Sequence, residues 1–188
     1  HLIKDEAEYE KVLNKAKEFA LEDKLVTFGI TPTFAETGFG YIESKNNFDV
    51  KAFHEKPDFQ TASSYLEAGN YYWNSGMFMF KAGVFLEELQ KYSPDIFDTS
   101  KQALENASKD GIIRIKHEDM AFIPEDSIDY AVMEKSTKVK VIPSNINWSD
   151  VGSFDALYEE LPKDINGNTI NPKYIGIDSK NNLIYGND

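Results

Sequence analysis

The sequence contains no cysteine. Disulfides, thiolate zinc sites and cysteine nucleophiles are therefore excluded, and a cytoplasmic location is the natural expectation. Positive charge is also scarce. Twenty Lys and Arg stand against 32 Asp and Glu, a formal net charge of -12. A nucleic-acid-binding surface demands the opposite balance, so no nucleic-acid partner is expected. No apolar run approaches the ~20 residues of a membrane span, so no membrane partner is expected either. The three histidines, His1, His54 and His117, include no pair at metal-ligand spacing. There is no internal repeat and no low-complexity tract. The chain opens on His1 without a signal-peptide pattern, which leads us to expect that the native start lies upstream.

What is present suits a folded α/β protein. Hydrophobic residues make up 41% and aromatics 13%, and 188 residues suffice for a sizeable core. Residues 6–20 predict an amphipathic helix, with Val12, Leu13, Ala16, Phe19 and Ala20 on one face. Residues 25–30 read as a buried strand ended by Thr31-Pro32-Thr33. Residues 39–43 and 50–55 read as two strands around the turn 45–47. Asp58 is placed to cap a helix that Gly69 ends. An aromatic strand follows over 71–80, broken by Asn74-Ser75-Gly76. Helices are expected over 82–91 and 94–107, and another from a Ser127 cap through Met133. A strand over 139–142 and a helix over 153–161 complete the pattern. Strands alternating with helices indicate an α/β fold with a mixed, partly parallel sheet. From Asn166 onward, turn signals at 166–168 and 180–182 flank short strands and suggest the start of a β-rich domain. The expected division is therefore 1–162 and 163–188.

Three clusters carry chemistry. In Phe53-His54-Glu55-Lys56-Pro57, Pro57 is expected to keep Lys56 extended. A carboxylate there suits sugar hydroxyls and an ammonium suits a phosphate, although an exposed ion pair before a turn is the plainer reading. Alternation points His54 away from the side that Glu55 faces. In Tyr72-Trp73-Asn74-Ser75-Gly76-Met77-Phe78, the glycine permits a bulge or a close ligand approach. Asn74 can both donate to and accept from hydroxyls, or its amide can satisfy local backbone. In Trp148-Ser149-Asp150-Val151-Gly152-Ser153, a carboxylate between strand and helix suits Mg²⁺ or serves as a helix cap.

Taken in order, Thr37-Gly38-Phe39-Gly40-Tyr41-Ile42, the Phe-x-Glu-Lys-Pro cluster, Tyr-Trp-Asn-Ser-Gly-Met-Phe, Ser127-Ile128-Asp129-Tyr130-Ala131-Val132-Met133-Glu134-Lys135 and Trp-Ser-Asp-Val-Gly-Ser resemble the mannose-1-phosphate guanylyltransferase family, the GDP-mannose pyrophosphorylases. The resemblance covers about residues 1–162. It implies a Rossmann-like nucleotidyltransferase fold whose glycine-rich nucleotide loop and guanine contacts lie upstream of His1, together with one metal-binding Asp. The chain alone is accordingly expected to be inactive.

By motif position, the resemblance assigns Gly40 a backbone approach to the sugar, Glu55 the sugar hydroxyls, Lys56 the sugar phosphate and Asn74 the mannose. Asp150 becomes a metal ligand, and Lys56 and Asp150 the catalytic pair. Asp129 and Glu134 receive no role. The implied substrates are mannose 1-phosphate and GTP, the cofactor is Mg²⁺, and the products are GDP-mannose and pyrophosphate. A homo-oligomer is expected, because a sheet without its nucleotide-binding half leaves an edge and an apolar face uncovered. The alternatives are a nucleotidyltransferase for another sugar 1-phosphate, a non-catalytic sugar-nucleotide-binding homologue, and a carbohydrate-binding module. The strand-helix pattern does not suit the last.

Overall fold

Six consecutive residues, Leu25 to Ile30, are buried, and the larger part of the chain is organised around them. The computed structural model describes residues 1–186. In chain order the elements begin with β1 (Leu2–Ile3), α1 (Glu6–Leu21), β2 (Leu25–Ile30), β3 (Tyr41–Ser44), β4 (Val50–His54) and α2 (Phe59–Ala68). They continue with β5 (Tyr71–Met79), α3 (Ala82–Tyr92), α4 (Pro94–Glu105), α5 (His117–Ala121), a π-turn (Asp129–Met133), β6 (Val139–Ser144), β7 (Trp148–Ser149) and α6 (Phe154–Glu160). The backbone gathers into two compact units, Ala7–Asn145 and His1–Glu6 with Ile146–Asp188.

In the larger unit a five-stranded sheet runs β4-β3-β5-β2-β6. Only β2 and β6 are parallel; the other pairs are antiparallel. The expected mixed α/β sheet is thus formed. β2 lies between β5 and β6, so both of its faces and both of its edges are covered, which is why it carries no charged residue. Gly29 is required by packing. A Cβ there would lie 2.6 Å from Val141 Cγ2 and 2.7 Å from Tyr72 Cβ. The outer edge of β6 is covered in turn, since Val141 N donates to Phe48 O at 2.9 Å and Lys140 pairs with Asp49.

Local signals set the helix limits. Asp58 Oδ1 accepts from Thr61 N at 2.8 Å and starts α2; Gly69, at φ 72°, ends it. Val12, Ala16 and Ala20 form the buried stripe of α1. Ser127 Oγ accepts from Tyr130 N at 3.2 Å, as a cap should. The turn that follows is of π type, however, with Glu134 N donating to Asp129 O. Its Ala131, Val132 and Met133 enter the core beside Leu25, Val84, Leu89 and Val139. Burying side chains such as Val132 and Met133 is worth about 1.5–3 kcal/mol each, and this anchors the turn.

The smaller unit pairs β1 with β7 (Leu2 opposite Ser149, Ile3 opposite Trp148). The turn expected at 166–168 forms one residue early, with Gly167 N donating to Asp164 O at 3.0 Å; at 180–182 there is only a bend at Asn181, and the short strands expected between them do not form. Among the described residues after α6 there is only a single bridge, Lys163 to Thr169. Side chains have taken the places a ladder partner would fill. Thr169 Oγ1 accepts from Ile184 N at 2.6 Å, and Asn168 Oδ1 accepts from both Asn182 N and Asn182 Nδ2.

Candidate functional site

In the larger unit the site is assembled where the end of β4, the start of β3 and the middle of β5 meet. Gly40, just before β3, accepts a hydrogen bond from Asn74 N at 2.8 Å through its carbonyl. A Cβ on Gly40 would lie 2.6 Å from Glu55 Oε2 and 3.7 Å from Asn74 Cβ. Three of the residues singled out from sequence therefore converge, and glycine is what permits the approach. His54, by contrast, turns to Glu43, Tyr65 and Tyr71, the opposite direction that alternation predicts.

Lys56 Nζ lies 3.6 Å from Glu55 Oε1, and both side chains are exposed. The expectation that Pro57 holds Lys56 extended is not met, because Lys56 has φ 43°. The following proline disfavours the right-handed helical region, and the chain escapes into the left-handed region instead. A non-glycine residue there costs on the order of 1–3 kcal/mol.

Asn74 sits beside the expected bulge. The register of β2 against β5 shifts between Thr27 and Gly29, opposite 74–78, and Gly76 takes φ 69°. The bulge is internally satisfied, with Ser75 Oγ donating to Phe28 O at 2.6 Å. Asn74 Oδ1 accepts from Gly76 N at 3.2 Å and Thr27 Oγ1 at 3.4 Å, and Nδ2 donates to Asp129 Oδ1 at 2.9 Å.

That last bond brings in a residue without an assigned role. Burial pushes the Asp129 carboxyl above the usual carboxylate range; the bond from Asn74 opposes the shift, and the charge of Glu55 adds to it. Glu134 is raised as well, by burial first and then by the charges of Asp129 and Glu55. The charge of Glu55 thus acts on both Asp129 and Glu134, which places three carboxylates near one another. Such a group can accept hydrogen bonds from several hydroxyls, while Lys56 supplies a cation for an anionic group on the same ligand. The signal for Asp129 in the sequence was only its place in a motif.

Asp150 lies in the smaller unit. The cap alternative is removed there, because Ser153 Oγ accepts from Ala156 N at 3.0 Å and itself caps α6. The half-buried Asp150 carboxylate makes no hydrogen bond or ion pair among the described residues, and it folds against Gly152, where a Cβ would collide with it. Asn147 and Val151 flank the segment at φ 50° and 48°. Val151, being β-branched, is a true outlier at that angle. An unused carboxylate on a strained turn is a suitable oxygen donor for a hard cation. Among the described residues no group of three or more acidic or imidazole ligands could hold a metal by itself, and no helix is long and apolar enough to cross a membrane.

Substituting Gly40 by Ala should displace the flexible Glu55 carboxylate rather than the backbone. We expect stability close to wild type and an activity loss of about threefold to tenfold, the worth of one hydrogen bond. Thermal denaturation alongside steady-state kinetics of the whole protein would check this; a large fall in Tm with intact kinetics would make Gly40 a packing residue only.

Residues 1–167 match the nucleotidyl transferase family. The chain is 47% identical over 191 residues to a mannose-1-phosphate guanylyltransferase of Salmonella muenchen, covering 98% of this chain and 40% of that protein. It is 44% identical to the Xanthan biosynthesis protein XanB of Xanthomonas campestris pv. campestris, covering 99% and 41%. The chain thus spans about two fifths of the length of these curated relatives. Among solved structures, a mannose-6-phosphate isomerase from Helicobacter pylori superposes with a TM-score of 0.75 at 42% identity, over 79% of this chain and 61% of that one. A protein described as mannose-1-phosphate geranyltransferase from Thermus thermophilus gives a TM-score of 0.74 at 32% identity, over 89% and 49%.

Proposed function

Because this chain belongs to the nucleotidyl transferase family, we propose that it is the sugar-phosphate-binding part of an enzyme that transfers GMP from GTP to mannose 1-phosphate, giving GDP-mannose and pyrophosphate. The observation that carries this reading is the convergence of Gly40, Glu55 and Asn74 at one place, in a chain whose relatives include mannose-1-phosphate guanylyltransferases. The part concerned is 1–162; the family match runs on to residue 167. Residues 163–188 form a separate C-terminal piece in this reading, its last two residues lying outside the described ones.

In the reaction, a phosphate oxygen of mannose 1-phosphate attacks the α-phosphorus of GTP. The bond from that phosphorus to the bridging oxygen breaks, and pyrophosphate leaves with the electron pair. The attacking oxygen is already an anion near neutral pH, so no general base is needed. The protein must position the reactants and neutralise charge. Glu55 and Asn74 hold sugar hydroxyls, Gly40 lets the sugar approach the backbone, and Lys56 holds the phosphate. Asp150 would hold Mg²⁺, which would supply stabilisation of the charge that develops on the phosphates. A cytoplasmic setting accords with the absence of cysteine. Association into a homo-oligomer accords with the exposed apolar side chains Ile112, Ile113, Ile115 and Phe122.

The test is pyrophosphate release by the whole protein with GTP and a panel of sugar 1-phosphates. Mannose 1-phosphate should give the highest kcat/KM. Preference for glucose 1-phosphate would overturn the substrate assignment, and binding without release would favour a non-catalytic homologue.

A further inference from the structure

An asparagine amide has an oxygen that takes two donors and a nitrogen with two hydrogens to give. In Asn74 the oxygen is fully engaged, by Gly76 N and Thr27 Oγ1. One hydrogen of the nitrogen goes to Asp129, which leaves a single N–H for a ligand. A half-turn of the amide would set its oxygen against the Asp129 carboxylate and its nitrogen against the Gly76 N–H. The thing that forbids this on the far side is one carboxylate, 55 residues away in sequence. We infer that Asp129 is a positioning residue: it fixes which edge of Asn74 faces the sugar, and so contributes to the choice among sugar 1-phosphates. The inference rests on the proposed role of Asn74 as a sugar contact.

Several independent features fit this task. Asp129 opens a π-turn, closed by Glu134 N donating to Asp129 O at 2.9 Å; such turns are frequent at functional sites. The next residues, Ala131 to Met133, are locked in the core, and Ser93 Oγ donates to Ala131 O at 2.9 Å. The carboxylate is therefore presented by a rigid element, as a positioning group must be. Its setting also speaks against a role in stability, because burial and the neighbouring charge of Glu55 both disfavour its ionised form. A carboxylate kept where it is electrostatically unfavourable marks a functional place more often than a structural one.

The experiment is a double-mutant cycle in the whole protein, read as KM for mannose 1-phosphate at saturating GTP, with glucose 1-phosphate as competitor substrate and KM for GTP as control. Asn74→Ala should raise KM for mannose 1-phosphate about tenfold, and Asp129→Ala by a similar factor. If Asp129 acts through Asn74, the double variant should be no worse than Asn74→Ala alone. Asp129→Asn keeps an oxygen acceptor and should stay within about threefold of wild type. Asp129→Ala should also narrow the preference for mannose 1-phosphate over glucose 1-phosphate, and KM for GTP should not move. Additive losses in the double variant would overturn the inference. So would an Asp129→Asn variant as impaired as Asp129→Ala, because the charge itself would then be the ligand. An unaltered KM in Asp129→Ala overturns it too, while leaving the role of Asn74 intact. If Asn74→Ala itself changes nothing, the reading of Asn74 as a sugar contact fails first and the inference with it. Should Asp129→Ala fold poorly, Asp129→Leu, close in size and without an acceptor oxygen, takes its place in the cycle with the same expected and overturning results.

Discussion

Asp150→Asn is expected to lower kcat of the whole protein about a hundredfold or more, with a Tm close to wild type. A metal acting on phosphoryl oxygens supplies several kcal/mol of charge stabilisation, and each 1.36 kcal/mol is a factor of ten. Asn keeps the size of the side chain, so the close fit over Gly152 is preserved, and α6 loses nothing because its cap is Ser153. The substitution therefore separates coordination from packing. The measurements are kcat across a Mg²⁺ titration and calorimetric unfolding. A shifted Mg²⁺ requirement with unchanged unfolding would establish the metal role. Near-wild-type turnover at limiting Mg²⁺ would exclude it.

Lys56→Ala should act on the other reactant. We expect kcat/KM for mannose 1-phosphate to fall about tenfold to a hundredfold, the worth of one charge-assisted hydrogen bond to a phosphate, while KM for GTP holds. Little stability is at stake, since the exposed pair with Glu55 belongs to a class that contributes little. The left-handed backbone at Lys56 gives the ammonium a fixed point of departure, so Lys56→Arg, longer and differently hydrated, should restore only part of the rate. An unchanged kcat/KM in Lys56→Ala would return Glu55 and Lys56 to the status of a surface ion pair.

The legible parts of the molecule are those in which one residue decides local geometry. Asp58 and Gly69 bound α2 as their chemistry requires, and Gly76 in an aromatic strand marks the bulge that it makes. Illegible features depend on partners far along the chain. Five residues cannot distinguish a π-turn from an α-turn by periodicity, so 127–133 reads as an ordinary helix until its core contacts are known. The bond from Asn74 to Asp129 has no local signature in either segment. Lys56 shows a rule applied too narrowly, because a proline excludes one backbone region for its predecessor without dictating which other is used. The strands expected in the tail fail because Asn and Thr side chains compete with backbone for the same donors. The five motifs together, spread from Thr37 to Ser153, carried more about the site than any one of them did.

The place of β2 in the sheet also bears on how the protein comes to be made. One neighbour, β5, follows within a few dozen residues, but the parallel partner β6 lies about 110 residues further on. At about 5–20 residues per second, Leu-Val-Thr-Phe-Gly-Ile emerges from the ribosome on the order of ten seconds before the strand that completes its burial. The segment is uncharged, rich in β-formers and free of proline, the composition that favours intermolecular cross-β pairing. During that interval its open edge is available to other nascent chains. The same central position that makes β2 the anchor of the finished sheet leaves its edge open during synthesis, where a holdase chaperone would have something to protect.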